Sequence, residues 1–218
     1  TTQMTEEVER AMEPYLREKF GNASTEYSYG VDAGRAVEHC RAVIAETLEA
    51  KPEEIYFTSG GSESDNWAVK GVAGAYKKQG THIITSKIEH HAVLNSCEYL
   101  ERLGYSVTYL DVDEDGMVSA EQLARAIRPD TTLISVMYGN NEVGTIEPIA
   151  RIGQIAREHG ILFHTDAVQA YAQVPISTRA LPIDLLSASA HKFYGPKGVG
   201  FLYIREGVKM PSFIHGGG

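Results

Sequence analysis

From Pro52 onward the chain repeats one unit, a short apolar strand followed by an amphipathic helix, and this alternation constrains the fold more than any other feature. Strand-like runs lie at Glu54–Thr58, His82–Thr85, Tyr105–Leu110, Thr132–Met137, Ile161–Thr165, Leu185–Ala188 and Val199–Ile204. Helical patterns fall between them at Ser62–Lys78, Ala92–Leu103 and Ala120–Ile127, and from Pro148, read as a first-turn proline, to Gly160. Such alternation predicts a single α/β domain, with a mostly parallel sheet flanked by helices on both faces. Two further helices precede it: Thr5–Phe20, with Pro14 expected to kink or break it, and Val31–Ala50.

Composition excludes several roles. A net charge of −9 argues against a nucleic-acid or anionic-membrane surface. No apolar run approaches the ~20 residues that span a bilayer. Cys40 and Cys97 fall in helical patterns without a disulfide framework, so a reducing, cytoplasmic setting is expected. The N-terminus carries no basic flank or apolar stretch of a signal peptide. Thr1 and the terminal Gly216-Gly217-Gly218 suggest that residues 1–218 are truncated at both ends.

In open α/β sheets ligands bind at the carboxyl ends of the strands, and here those ends carry the reactive residues. Lys192 stands in Ser189-Ala-His-Lys-Phe-Tyr-Gly-Pro-Lys-Gly198, among small, aromatic and polar neighbours. A partly dry setting disfavours the ammonium and frees the amine for Schiff-base chemistry with a carbonyl, most often that of pyridoxal 5'-phosphate (PLP). The bland alternative is a surface lysine at a turn. Gly60-Gly61-Ser62 opens a helix as an anion site would, although Glu63, Ser64 and Asp65 also suit ordinary capping. Asp166 ends a strand, where it is either a helix cap or the partner of a pyridine nitrogen, and Gln169 follows one turn on.

His90 and His91 follow Glu89 without the spacing of a zinc site, so no metal is expected there. An imidazole stacked on a planar ring fits better, with surface histidines as the alternative. Asp111–Gly116 imitates an EF-hand start, but Gln122 holds the twelfth position and a strand precedes it, so it reads as an acidic turn. Cys97 reads as a buried helix thiol.

Six segments together carry a resemblance. They are Phe57–Asn66, Ile83–Leu94, Asn140-Asn-Glu-Val-Gly144, His164-Thr-Asp-Ala-Val-Gln169, Ser189–Gly200 and His215–Gly218. In this order the chain resembles the cysteine desulfurases, PLP-dependent enzymes of the class V aminotransferase group within fold-type I. The resemblance implies the large domain of that fold, with the C-terminal small domain absent. It implies that Lys192 binds PLP covalently and moves the substrate's α-proton, and that His90 stacks on the ring. Asp166 would pair with the ring nitrogen, Gln169 would bond the phenolate oxygen, and Asn141 would lie near that oxygen and the substrate carboxylate. Gly61, Ser62, Ser189 and His191 would bind the phosphate.

The implied reaction removes sulfur from L-cysteine, leaving L-alanine and a cysteine persulfide for iron–sulfur cluster assembly or tRNA thiolation. The implied partners are a second copy of the chain, a sulfur-acceptor or iron–sulfur scaffold protein, and a missing C-terminal fragment or chain bearing the nucleophilic cysteine. Ala23 and Tyr27 depart from the Pro and His that relatives carry near the substrate entrance. Other readings are a class V aminotransferase, a selenocysteine lyase, or a non-catalytic PLP-fold binding or assembly subunit.

Overall fold

The computed structural model describes residues 1–216; Gly217 and Gly218, the end of the glycine run, lie outside the described residues. After helices α1 (Glu6–Arg17) and α2 (Ser28–Leu48), the chain alternates β1 (Ile55–Thr58), α3 (Gly61–Ala75), β2 (His82–Ser86), α4 (His91–Arg102), β3 (Ser106–Leu110), α5 (Ala120–Ala126), β4 (Thr131–Ser135), α6 (Ile149–Glu158) and β5 (Leu162–Asp166). Strands β6 (Leu185–Ser189) and β7 (Gly200–Ile204) follow. Among the described residues no helix is long and apolar enough to cross a membrane.

The seven strands form one sheet in the order β1-β7-β6-β5-β4-β2-β3. Five neighbours, β3, β2, β4, β5 and β6, run parallel. The sequence pattern predicts a mostly parallel sheet, and the structure refines this: β7 runs antiparallel to both β6 and β1. The reversal follows from the connection. Lys192 to Val199 is too short for the crossover that parallel neighbours require, so the chain turns back beside β6.

Period-two alternation sends adjacent side chains into opposite layers. Ile83, Leu133 and Leu185 pack under α3 and α4, whereas Ile84, Ile134 and Leu186 face the other core. All six are fully buried, each worth about 1.5–3 kcal/mol relative to exposure. β2, β4, β6 and β7 are buried on both faces, as interior strands must be, while β1 and β3 at the sheet edges are partly exposed.

Two prolines act differently from expectation. α1 runs through Pro14 without breaking, and Glu18 N–H donates to the Pro14 carbonyl. The helix has no buried residue, so it can adjust locally around the ring without disturbing a packed core. Pro148 is the N-cap of α6, one residue before the first turn, with its ψ at 59°.

The loop after β2 leads to α4 on one face, and the loop after β4 leads to α6 on the other. The crevice where they diverge is a topological switch point, the place where sheets of this kind bind ligands.

Candidate active site

A cleft of about 480 Å³ opens at this end of the sheet. Its lining contains every residue to which the sequence assigns a site role. Gly61 and Ser62 come from the start of α3, His90 from the loop after β2, and Asn141 from the loop after β4. Asp166 and Gln169 come from the end of β5, and Ser189, His191 and Lys192 from the end of β6 and the turn after it. The amino-terminal arm borders the same cleft: Thr2 donates its N–H to the His191 carbonyl at 2.7 Å.

One end of the cleft is a set of backbone donors. Gly60 caps α3 with φ at 150° and offers no side-chain cap, so the first N–H groups of a 15-residue helix have no intrahelical partner. A Cβ on Gly61 would lie 2.6 Å from Val168 Cγ2, so glycine is required for α3 to approach the loop after β5. Ser62 is exposed at this end and Ser189 is buried beside it. Burial, then the Lys192 and Lys197 cations, holds the His191 imidazole below its usual range. The arrangement suits a dianionic phosphate.

Lys192 closes a short 3₁₀ turn, Ala190–Lys192, and is half-buried. The chain then passes through Tyr194 at φ 65°, a left-handed conformation costly for a tyrosine. The arm holds it there: Tyr194 N–H donates to Thr2 Oγ1 at 2.7 Å, and Thr5 N–H donates to the Tyr194 carbonyl at 3.3 Å.

His90 caps α4. Its Nδ1 accepts from Ala92 N–H at 3.1 Å, which assigns the proton of the neutral ring to Nε2. The ring itself is exposed in the cleft. Asn141 donates to Glu142 Oε1 at 2.7 Å, and Gln169 is half-buried.

The floor is different in kind. Asp166 is 4 % exposed, and Oδ1 accepts from Val168 N–H at 2.8 Å. Burial raises its carboxyl above the ordinary range, while the Val168 N–H, His90 and Lys192 pull it back toward the ionised form. Beneath it lie Asp65, His164 and Glu89, all buried. Asp65 reads from sequence as an ordinary first-turn acid; instead it faces inward, lines the cleft, and leaves Oδ1 without a hydrogen-bond partner. Burial raises its carboxyl well above the usual range, reinforced by the charge of Asp166.

His164 lies 3.7 Å from Asp65, yet the two do not form an ion pair. Burial drives the imidazole down to about 3, and two hydroxyls satisfy the neutral ring: Ser135 Oγ at 2.9 Å from Nδ1 and Ser187 Oγ at 3.0 Å from Nε2. Burial likewise raises Glu89 to about 8. Neither Asp65 nor His164 can be found from spacing, because the residues facing them come from other strands.

The floor and the donor end together fit PLP. A buried carboxylate beside a lysine and a histidine suits a pyridinium, and an open helix N-terminus suits a phosphate. Among the described residues no group of three or more His, Cys, Asp or Glu side chains is placed to hold a metal ion. Cys97 is buried in α4 with its thiol pushed up to about 12, mainly by burial, and Cys40 is exposed on α2; neither lines the cleft.

The sequence pattern of the Aminotransferase class-V family matches residues 1–218. A protein of Dictyoglomus turgidum called cysteine desulfurase IscS is 55% identical over 217 residues, covering 100% of this chain and 55% of the relative. One of the same description from Methanosarcina thermophila is 57% identical over 217 residues, covering 100% of this chain and 54% of its own length. The solved structure of SspA in complex with cysteine superposes with a TM-score of 0.97 at 45% identity, over 100% of this chain and 63% of that one. The chain thus spans about half the length of the curated relatives it matches.

Proposed function

The chain belongs to the class-V aminotransferase family, and we propose that it is the PLP-binding large domain of a cysteine desulfurase acting on L-cysteine. The observation that carries this reading is the convergence on one cleft of the nine residues to which the sequence and its family resemblance give a site role.

When bound, PLP supplies a carbonyl for amines and a ring that draws off carbanion charge. Lys192 Nζ is the amine that holds it and the base that takes the α-proton of the substrate. The Asp166 carboxylate keeps the ring nitrogen protonated, which a neutral side chain cannot do. His90 covers the ring with its face, its orientation fixed by the Nδ1 bond to the α4 backbone. Gln169 and Asn141 orient the phenolate oxygen, and Asn141 also meets the substrate carboxylate. The phosphate is held by the backbone at Gly61 with Ser62, Ser189 and His191.

Sulfur transfer needs a thiolate to attack the substrate sulfur, leaving a persulfide on the protein and alanine as product. Cys97 is unsuited to this, since at neutral pH a thiol raised to about 12 carries almost no thiolate. Cys40, exposed on α2, does not line the cleft either, so the accepting cysteine comes from outside residues 1–218. A second subunit and a sulfur-receiving protein complete the proposal. Exposed Leu16, Phe20, Tyr27 and Tyr29 near the amino terminus offer apolar surface for such contacts.

The test is to load the protein with PLP, reduce it with borohydride and locate the modified lysine by peptide mass spectrometry. Lys192 should carry the label; a label elsewhere, or none, sinks the cofactor assignment. Products from L-cysteine then decide the reaction. Alanine with persulfide sulfur supports desulfuration, whereas a keto acid with the amino group transferred means an aminotransferase.

A further inference from the structure

The loops after β2 and β4 carry His90 and Asn141 into the cleft, then depart to opposite faces of the sheet. Something must hold them together at the switch point, and the structure shows what does. Glu89 Oε1 accepts from Ser86 Oγ–H at 2.6 Å, within its own loop, and from Met137 N–H at 2.9 Å, in the other. Asn140 adds a second tie, donating Nδ2–H to the Ile88 carbonyl at 3.1 Å. Asn140 Oδ1 in turn accepts from the N–H groups of Glu142 and Val143 at 2.8 and 3.0 Å, which shapes the turn around Asn141.

The two oxygens of Glu89 are not equivalent. Oε1 receives both donors, while Oε2 is buried without a hydrogen-bond partner. An ionised carboxylate spreads its charge over both oxygens, and leaving one of them dry and unpaired is costly. A carboxylic acid carries no net charge, so an unpaired hydroxyl at Oε2 costs less than a dry share of a carboxylate's charge. Among the surrounding titratable groups the charges of Asp166 and Glu147 push Glu89 the same way, and Asp65, Cys97 and His164 supply no cation. Asp166 of β5, Asp65 of α3 and Glu147 beyond β4 are acids, Cys97 of α4 is a buried thiol, and His164 of β5 is a neutral ring. His90, beside Glu89 in sequence, favours ionisation at Asp166.

We propose that Glu89 is a positioning residue that locks the His90 loop to the Asn141 loop as a neutral carboxylic acid, leaving the ionised carboxylate of the floor to Asp166. The side chain does not line the cleft; it acts through His90 and Met137. What the locked loops then hold rests on the cofactor reading above.

The experiment compares the PLP-loaded protein with Glu89→Gln and Glu89→Ala. Gln keeps the acceptor oxygen and replaces the hydroxyl with an uncharged amide, so it should restore PLP retention to within about twofold of wild type. Ala leaves the Met137 N–H and Ser86 hydroxyl unpaired and should weaken retention about tenfold, with an altered visible circular dichroism of the bound cofactor. In cofactor-free protein at neutral pH, an infrared difference between wild type and Glu89→Gln should show the carbonyl stretch of one protonated carboxylic acid. Three results overturn the proposal: Gln as impaired as Ala, Ala indistinguishable from wild type, or no acid band in the infrared difference. Should Ala fail to fold, the Gln variant and the infrared band decide alone. A wild-type protein that never retains PLP counts against the cofactor reading instead, and the infrared band still judges Glu89.

Discussion

The two ends of the cleft achieve polarity by opposite means. The donor end at α3 uses backbone N–H groups, freed by a helix start and a glycine, with the exposed hydroxyl of Ser62 beside them. The floor uses side chains, Asp65, Glu89, His164 and Asp166, each buried and dependent on particular partners. A backbone site tolerates loss of a side chain but not the addition of one. A buried side-chain site tolerates neither loss of a partner nor a change of charge.

Asp166→Ala should break the comparison most severely if it is wrong. Removing one member of a buried charged pair costs ~3–5 kcal/mol, so the variant should lose most of its PLP on dialysis. Asp166→Asn should retain more cofactor yet exchange the substrate's α-proton far more slowly. Wild-type exchange in the Asn variant would reduce Asp166 to a loop cap.

The floor should also make stability depend on pH. Glu89 has its folded value raised from 4.5 to about 8, so the native state binds the extra proton across that window. Stability should therefore fall as pH rises from about 4.5 through 8, by up to a few kcal/mol, and the fall should be shallower in Glu89→Gln. His164 acts oppositely. Its value drops from 6.5 to about 3, so the unfolded chain takes the proton and its contribution to stability is lost as pH falls from 6.5 toward 3. Urea titrations of both proteins across this range measure the two slopes; parallel curves above pH 5 would remove Glu89 as their source.

Gly61→Ala should then show the donor end's sensitivity to added bulk. The new Cβ would meet Val168 Cγ2 at 2.6 Å, and valine has few rotamers with which to yield. A cost of about 1–3 kcal/mol is expected in both thermal stability and PLP affinity. Ser62→Ala should do least, about 1 kcal/mol of cofactor affinity with no change in melting temperature, since the exposed hydroxyl is one donor among several. If Ser62→Ala proved costlier than Gly61→Ala, the backbone would not be the principal donor.

Much of the cleft is legible in the chain because its residues sit at strand ends, and strand ends are visible as breaks in a local pattern. Lys192, Asp166 and His90 each follow an apolar run, and the structure places all three on one edge. Asp65 and Glu89 are different. Each sits beside a recognised motif, but Asp65 faces His164 from 99 positions away, and Glu89 bonds Met137 across 48.

The sequence by itself determined the order of strands and helices and the strand ends where Lys192, Asp166 and His90 stand; the site roles of Asn141, Ser189 and His191 were legible only through the resemblance to a family. The order and the strand ends follow from side-chain period and from turn residues, which act over a few positions. Only the tertiary structure decided that β7 enters the sheet backwards, that α1 passes through Pro14, and that burial raises the carboxyls of the floor, with His90 and Lys192 pulling Asp166 back toward the ionised form. Strand order and loss of hydration are set by neighbours distant in the chain. Burial fixes the charge of a carboxyl, and burial is a property of the assembled fold.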